Sequence, residues 1–226
     1  FFGTGAYAIA ILQARAGLNP WLALPVAVAL GALVGAMIGT PAFRARLRGS
    51  YFALVTLAFA EVFRIVANVL PITGGAAGTL IRLDVHPLNF QFADRAQFYW
   101  VALVFLGAAM ALVRRLERGR FGARLVAVRE NEDAARALGV DALRVKIAAI
   151  TLSAAITAAA GCLYAQNFLY LDATIAYGPW ISVEALLAPI IGGLGTVFGP
   201  LIGAIVLHGF GEVTKVWIGA LTGGSG

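Results

Sequence analysis

The chain has 226 residues, of which 61% are hydrophobic and only 12% are charged, and its mean hydropathy is +0.87. Soluble domains carry about 25% charged residues, so this composition excludes an ordinary soluble globular protein and indicates an integral membrane protein. The formal net charge of +6 is not a nucleic-acid signal, because the basic residues bracket apolar runs as the positive-inside rule describes.

The first apolar segments predict closely packed transmembrane helices. Residues 1–13 are too short to span a bilayer and are interpreted as the end of a helix, whereas residues 21–43 form a full span. Gly31, Gly35 and Gly39 recur every fourth residue in that span, so they line one face and let another helix approach closely. The spacing does not identify the partner helix.

The next predicted span, residues 51–70, carries polar side chains within its apolar sequence. Glu61, Arg64 and Asn68 are spaced i, i+3 and i+7, so all three share one helix face. A charge near the bilayer centre costs about 2.5–3.5 kcal/mol, and pairing of Glu61 with Arg64 offsets part of that cost. This stripe is expected to face protein or a wet cavity, either as a pathway lining or as a structural ion pair.

Two arginine-rich segments predict which ends of the spans face the cytoplasm. Arg44, Arg46 and Arg48 follow the second apolar segment, and residues 114–146 hold nine of the 17 basic residues. Because cytoplasmic loops carry an excess of Lys and Arg, we expect both segments at the inner membrane surface. Residues 73–97 then form an outer polar loop.

A short helix with marked ends is predicted inside the second arginine-rich segment. Asn131 is a good N-cap, and Glu132 and Asp133 complement the positive end of the helix dipole. Gly139 suits the left-handed position after the last turn, and Asp141 suits the cap of the following helix. The pattern alone leaves two interpretations open, a docking element for a partner or a solvated loop helix.

Two further apolar runs follow, and the second of them is interrupted. Residues 147–171 are rich in alanine and predict a thin helix for a crowded bundle. Residues 181–207 contain Glu184 near the outer end, a carboxylate that is either paired in the bundle or exposed to a pathway. Near the middle of this run lie residues typical of a helix break or of close packing: Gly192, Gly193, Gly195, Gly199 and Pro200. Irregular backbone is tolerated at membrane depth only where it is buried in protein or lines a water-filled cavity. Two interpretations of this run stay open, a discontinuous helix and a tight helix crossing.

The sequence shows no recognisable catalytic or metal-binding pattern, so we expect no enzymatic activity, no cofactor and no metal. The only lysines, Lys146 and Lys215, do not follow glycine as a phosphate-binding loop requires. His86, His208 and Cys162 lie far apart and lack metal-ligand spacing. Energy for active transport would therefore come from an ion gradient or from another subunit.

Residues 133–139 read Asp-Ala-Ala-x-x-x-Gly and resemble the [Glu/Asp]-Ala-Ala-x3-Gly coupling motif of permease subunits from ABC importers, without the Leu-Pro of the extended motif. An ordered set of further matches makes the chain similar to the M-type permease subunit of branched-chain amino acid ABC transporters. These matches include residues 48–61 (RGSYFALVTLAFAE), 73–75 (TGG), 120–122 (RFG), 129–132 (RENE) and 192–200 (GGLGTVFGP). The chain departs from the family at Ala77, where a polar or acidic residue is common.

The resemblance implies an all-α, polytopic transmembrane helix bundle with a cytoplasmic coupling helix, located in the plasma (inner) membrane. Residues 1–226 would form a single permease domain, a fragment without its terminal helices, and residues 114–146 the coupling loop within it. The ATPase-coupling residues would be Glu132, Asp133, Ala134, Ala135 and Gly139. The implied partners are a second permease subunit in a heterodimer, two cytoplasmic ATPase subunits, an external solute-binding protein and the lipid bilayer.

The expected function is import of branched-chain amino acids with ATP hydrolysed by the partner subunits. Two alternatives stay open, a gradient-driven secondary carrier or channel and an ABC permease for urea or short amides. Glu61, Arg64, Asn68 and Glu184 are expected either to line the translocation pathway or to form a structural polar stripe.

Overall fold

The regular structure of this chain is almost entirely α-helical, as predicted. The computed structural model describes residues 1–47, 49–82, 84, 86, 89–92 and 94–221. Arg48, the last of the three arginines predicted to lie at the cytoplasmic end of the second apolar segment, lies outside the described residues. The helices are α1 (Phe2–Ala16), α2 (Pro20–Arg44), α3 (Ser50–Val69), α4 (Arg95–Arg118), α5 (Arg120–Glu130), α6 (Glu132–Ala137), α7 (Ala142–Phe168), α8 (Ala173–Tyr177), α9 (Pro179–Gly192) and α10 (Gly199–Leu221). Two short 3₁₀ turns, Pro71–Thr73 and Gly75–Ala77, follow α3. The all-α class is confirmed.

Five segments of the described chain are long and apolar enough to cross a membrane. They are Pro20–Arg44, Ser50–Val69, Ala96–Arg118, Ala142–Phe168 and Ala173–Gly192. A span needs roughly 20 mostly apolar residues, and each of these segments has at least that length. The polytopic membrane architecture is therefore confirmed.

The glycine stripe of α2 packs against α7 in the first of two compact units, Phe1–Gly178. An added Cβ at each of these glycines would collide with a side chain of α7. The facing pairs are Gly31 with Ala158, Gly35 with Ala154, and Gly39 with Ile150. As the α2 numbers rise the α7 numbers fall, so the two helices are antiparallel. The alanines of α7 are the partner that the spacing in α2 left open.

Helix α1 packs on α7 through equally small residues. A Cβ on Gly5 would meet the backbone of Ala158, and a Cβ on Gly161 would meet the carbonyl of Phe2. The buried cluster around this contact also holds Ala6, Ile9, Ala10, Ala23, Ala27, Cys162 and Ala165. Van der Waals contact at short range thus holds α1, α2 and α7 together, as expected where lipid removes the hydrophobic drive between helices.

A small β-ladder closes the end of α7 that is remote from α6. Strands β1 (Thr79–Leu80) and β2 (Tyr170–Leu171) pair antiparallel, with Thr79 opposite Leu171 and Leu80 opposite Tyr170. The Ile81 amide donates to the Leu169 carbonyl at 2.8 Å. This ladder, which the sequence did not predict, ties the loop after α3 to the C-terminal end of α7.

The second compact unit, Pro179–Gly226, contains the interrupted apolar run. The chain leaves α9 at Gly192 and enters α10 at Gly199, and Gly193 and Gly195 between them have φ angles of +112° and +80°. The Thr196 hydroxyl donates to the Gly193 carbonyl at 3.1 Å and accepts from the Gly199 amide at 3.0 Å. The break is therefore an ordered turn.

The two helices of this unit also pack closely against each other. A Cβ on Gly203 would collide with the Ala188 carbonyl, and a Cβ on Gly192 would lie 2.5 Å from the Gly203 amide nitrogen. Pro200 is the second residue of α10, a position where its missing N–H costs no helical hydrogen bond. Both features weighed for this run, a helix interruption and a close helix contact, are present.

Candidate coupling site

Helix α6 has the two marked ends that the sequence predicts. Asn131 Oδ1 accepts hydrogen bonds from the amides of Asp133 and Ala134 at 3.1 and 3.0 Å. At the other end the Gly139 amide donates to the Arg136 carbonyl at 2.9 Å, and Gly139 has a φ of +83°. A left-handed residue at this place closes a helix, and glycine adopts it without a Cβ penalty.

One face of α6 rests on its own unit, and the other is exposed. Ala135 is buried in a cluster with Val128 of α5 and with Ala142 and Val145 of α7. Asp133, Ala134 and Ala137 of α6 are exposed, as is Leu138 directly after the helix, and we call these four residues the exposed face of α6. Leu138 is 85% exposed. Leu138 lies outside the cluster of Val128 and Ala135 because it follows the last helical turn.

An ion pair connects α6 to α7. Lys146 Nζ lies 2.6 Å from Glu132 Oε2, and Arg136 Nη2 lies 2.7 Å from Glu132 Oε1. The Glu132 side chain is 12% exposed and the Lys146 side chain 26% exposed, so the contact is shielded from most of the solvent. Charges interact more strongly where water is excluded. The first turn of α6 is thereby held to α7 through side chains in addition to the short connection.

Lys146 also contacts α2 and, through it, α3. Lys146 Nζ lies 5.9 Å from the centroid of the Phe43 ring at the end of α2. The Phe43 ring stacks on Phe52 of α3, with centroids 5.0 Å apart and an angle of 9° between the planes. Lys146 and Phe43 therefore connect α6 with α2 and α3 as well as with α7.

The polar stripe of α3 contains the predicted ion pair. Arg64 Nε lies 2.9 Å from Glu61 Oε2, and Arg64 Nη2 lies 2.5 Å from Glu61 Oε1. Glu61 is exposed and Asn68 is partly exposed on the same helix. The stripe lines neither the apolar cavity of about 600 Å³ between α2, α4 and α7 nor the cavity of about 520 Å³ at the end of α4.

Glu184 of the second unit has a partner on the neighbouring helix. His208 Nε2 lies 3.5 Å from Glu184 Oε1; His208 is exposed and Glu184 is partly exposed. Within the described ranges, no three His, Cys, Asp or Glu side chains converge as ligands of a metal ion. The pair therefore connects α9 and α10.

Comparison with known proteins gives a family for this arrangement. The profile of the family described as "Branched-chain amino acid transport system / permease component" matches residues 1–223. The chain belongs to this family. It is 33% identical to the high-affinity branched-chain amino acid transport system permease protein LivM of Escherichia coli, over 98% of this chain and 59% of the relative.

Two further relatives carry similar names. The LivM protein of Salmonella typhimurium is 32% identical over 98% of this chain and 59% of its own length. A probable branched-chain amino acid transport permease protein LivM of Methanocaldococcus jannaschii is 31% identical over 63% of this chain and 41% of its own length. No solved structure matches the chain significantly.

The family assignment confirms the predicted resemblance and the localisation. Five apolar helical segments together with permease relatives make this a multi-pass protein of the plasma membrane. The chain spans 59% of the length of the first two relatives.

Two residues of the candidate coupling site were missed by sequence reasoning. The sequence alone assigns Lys146 no partner and marks position 43 only as the end of a span. A usable signal was present, because Lys146 is one of two lysines in the chain and precedes an apolar span. A cation in that position needs a partner, and Glu132 is within 14 residues of it.

Proposed function

We propose that this permease is the membrane-spanning subunit of an ABC importer that moves branched-chain amino acids into the cell. The observation that supports the proposal is helix α6, which is capped at both ends, exposed on one face and tied to a span by Glu132 and Lys146. A short rigid helix of this kind suits the groove of a soluble partner. The names of the relatives supply the amino acid class.

The energy source in this proposal is a separate ATPase. Lys146 pairs with Glu132, and Lys215 pairs with Glu212 at 2.7 Å, so both lysines of the chain are engaged in side-chain contacts. Neither follows a glycine-rich loop that could cradle phosphates. The proposed complex therefore has two cytoplasmic ATPase subunits, a second permease subunit and an external solute-binding protein.

The proposed mechanism transmits motion through the contacts around α6. Closure of the ATPases on ATP displaces the exposed face of α6, while the Glu132–Lys146 ion pair passes the displacement to α7. Because α2 packs along α7 through Gly31 and Gly35, and Phe43 connects Lys146 to α3, the spans move together. Interfaces packed this closely shift between discrete arrangements, as alternating access requires.

A pair of site-specific crosslinks tests this function. A photoreactive amino acid in place of Leu138, directly after α6, is compared with the same residue in place of Leu80 on β1, which is 74% exposed near the opposite end of α7. We expect Leu138 to crosslink to a soluble ATPase subunit in membranes, and Leu80 not to do so.

The outcomes separate the alternatives. A crosslink from Leu138 to an ATPase supports an ABC importer. Uptake that depends on an ion gradient, together with no ATPase at either position, would show a secondary carrier instead. A crosslink of the ATPase to Leu80 would reverse the orientation predicted from the arginine-rich segments.

A further inference from the structure

An open cavity lies at the elbow between α4 and α5. Its volume is about 520 Å³, and it is lined by Ala111, Arg114, Arg115, Arg118 and Gly119. Gly119 leaves the helical conformation with φ of −87° and ψ of 175°, so the chain turns directly after the last of these arginines. Three arginines therefore line one concave surface.

Two of the three arginines, Arg115 and Arg118, have no carboxylate partner in the described part of the chain. Arg115 and Arg118 are exposed, and neither forms an ion pair with a described carboxylate. A guanidinium is permanently charged, and its fork of donors matches the oxygens of a phosphate. The cavity thus has the charge and the donors for a phosphate group.

The position of the cavity relative to the membrane selects the source of that phosphate. Three residues that precede the arginines lie on the same face of α4, because they are spaced i, i−4 and i−7: Ala111, Gly107 and Val104. All three are exposed, and a Cβ added at Gly107 would meet nothing within 4 Å. These three residues form an exposed apolar strip on α4 that leads away from the basic cavity along the span. The hydrocarbon tail of a lipid would lie on this strip.

We propose that this elbow binds an anionic membrane lipid, with the headgroup phosphate on Arg115 and Arg118 and an acyl chain along α4 over Ala111 and Gly107. Basic pockets at the cytoplasmic ends of spans attract anionic headgroups. The site is separate from α6 and does not depend on the proposed transport function. A bound lipid would fix the elbow from which α5 leads to the coupling site.

The test measures lipid preference by native mass spectrometry of the full-length protein, extracted with its native partners. The protein is equilibrated with equal amounts of phosphatidylglycerol and phosphatidylcholine, and the retained lipids are counted. Arg115→Gln with Arg118→Gln removes two charges of the cavity. Arg120→Gln with Arg124→Gln removes two exposed charges from neighbouring α5 and is the matched control.

We expect the native protein and the control to retain phosphatidylglycerol preferentially, and the Arg115/Arg118 variant to lose about tenfold or more of that preference. Arg115→Lys with Arg118→Lys keeps the charge and should keep most of the preference. No headgroup preference in the native protein, or equal losses in both Gln variants, would overturn the proposal. Displacement of the lipid by millimolar inorganic phosphate alone would show a free-anion site and would also overturn it.

Discussion

The ammonium group of Lys146 lies 2.6 Å from the carboxylate of Glu132, and this contact joins the first turn of α6 to the second turn of α7. The two residues are 14 positions apart, with Gly139 and the Asp141 cap between them. Both side chains are largely shielded from water. The ion pair therefore attaches α6 to the membrane-spanning helix α7.

Removing Lys146 should weaken the link while leaving α6 folded. In Lys146→Met, the Glu132 carboxylate keeps Arg136 but loses its partner on α7, and losing a partner of a shielded carboxylate costs about 1–3 kcal/mol. We expect less uptake for each ATP hydrolysed in reconstituted vesicles.

The matched control for this change is Arg136→Met. Arg136 pairs with the same carboxylate but lies within α6, so its removal leaves the contact with α7 intact. Uptake per ATP should be affected less than in Lys146→Met. Equal losses in the two variants would show that the carboxylate only stabilises the helix.

The cap at Asn131 predicts a local effect on α6. Asn131→Ala leaves the amides of Asp133 and Ala134 without their side-chain acceptor, and such a change costs about 1 kcal/mol. Hydrogen exchange of the α6 amides should accelerate about fivefold, because opening becomes easier by that free energy. Asn131→Asp keeps the acceptor and should exchange near the native rate. Unchanged exchange in Asn131→Ala would contradict a stabilising cap.

The features predicted correctly from the sequence depend on residues that are close together in the chain. The Asn131 cap and the Gly139 terminus of α6 follow from a window of nine residues. The close-packing face of α2 follows from the spacing of Gly31 and Gly35. In each case a backbone requirement, an amide to satisfy or a Cβ to omit, limits the residue type at a fixed spacing.

The features that the sequence did not predict depend on long-range packing. The spacing of Gly31 and Gly35 predicts a close-packing face on α2. It does not identify the helix that packs there, because Ala154 is more than a hundred residues further along the chain. The Glu132–Lys146 pair depends on how α6 packs against α7, where Ala135 is buried with Ala142 and Val145. Local periodicity carries no information about either contact.

The packing of α2 on α7 predicts a large effect from one substitution. Gly35→Leu would place side-chain atoms where Ala154 lies, and overpacking of a close contact costs about 1–3 kcal/mol. The midpoint of thermal unfolding in detergent should fall. Gly209→Leu is the control, because a Cβ at Gly209 meets nothing within 4 Å. If Gly209→Leu destabilised the protein as much as Gly35→Leu, close packing would not be the cause.

The pair of Glu61 and Arg64 predicts a rescue experiment. Glu61→Gln leaves the Arg64 charge without its carboxylate in a span, where an unpaired charge costs about 2.5–3.5 kcal/mol. We expect low levels of inserted protein for Glu61→Gln and recovery when the charges are exchanged in Glu61→Arg with Arg64→Glu. The amount of protein in the membrane and the uptake per inserted protein are measured together. Normal insertion with lost uptake in the exchanged variant would assign the pair to the translocation pathway.

The most direct test of coupling through α6 is the ratio of amino acid taken up to ATP hydrolysed for two substitutions of Gly139. Its φ of +83° excludes a β-branched side chain without strain, whereas asparagine tolerates the left-handed conformation. Gly139→Val should lower the ratio severalfold with membrane insertion intact, and Gly139→Asn should stay near the native value. A native ratio in Gly139→Val would contradict the role of α6 as the coupling helix.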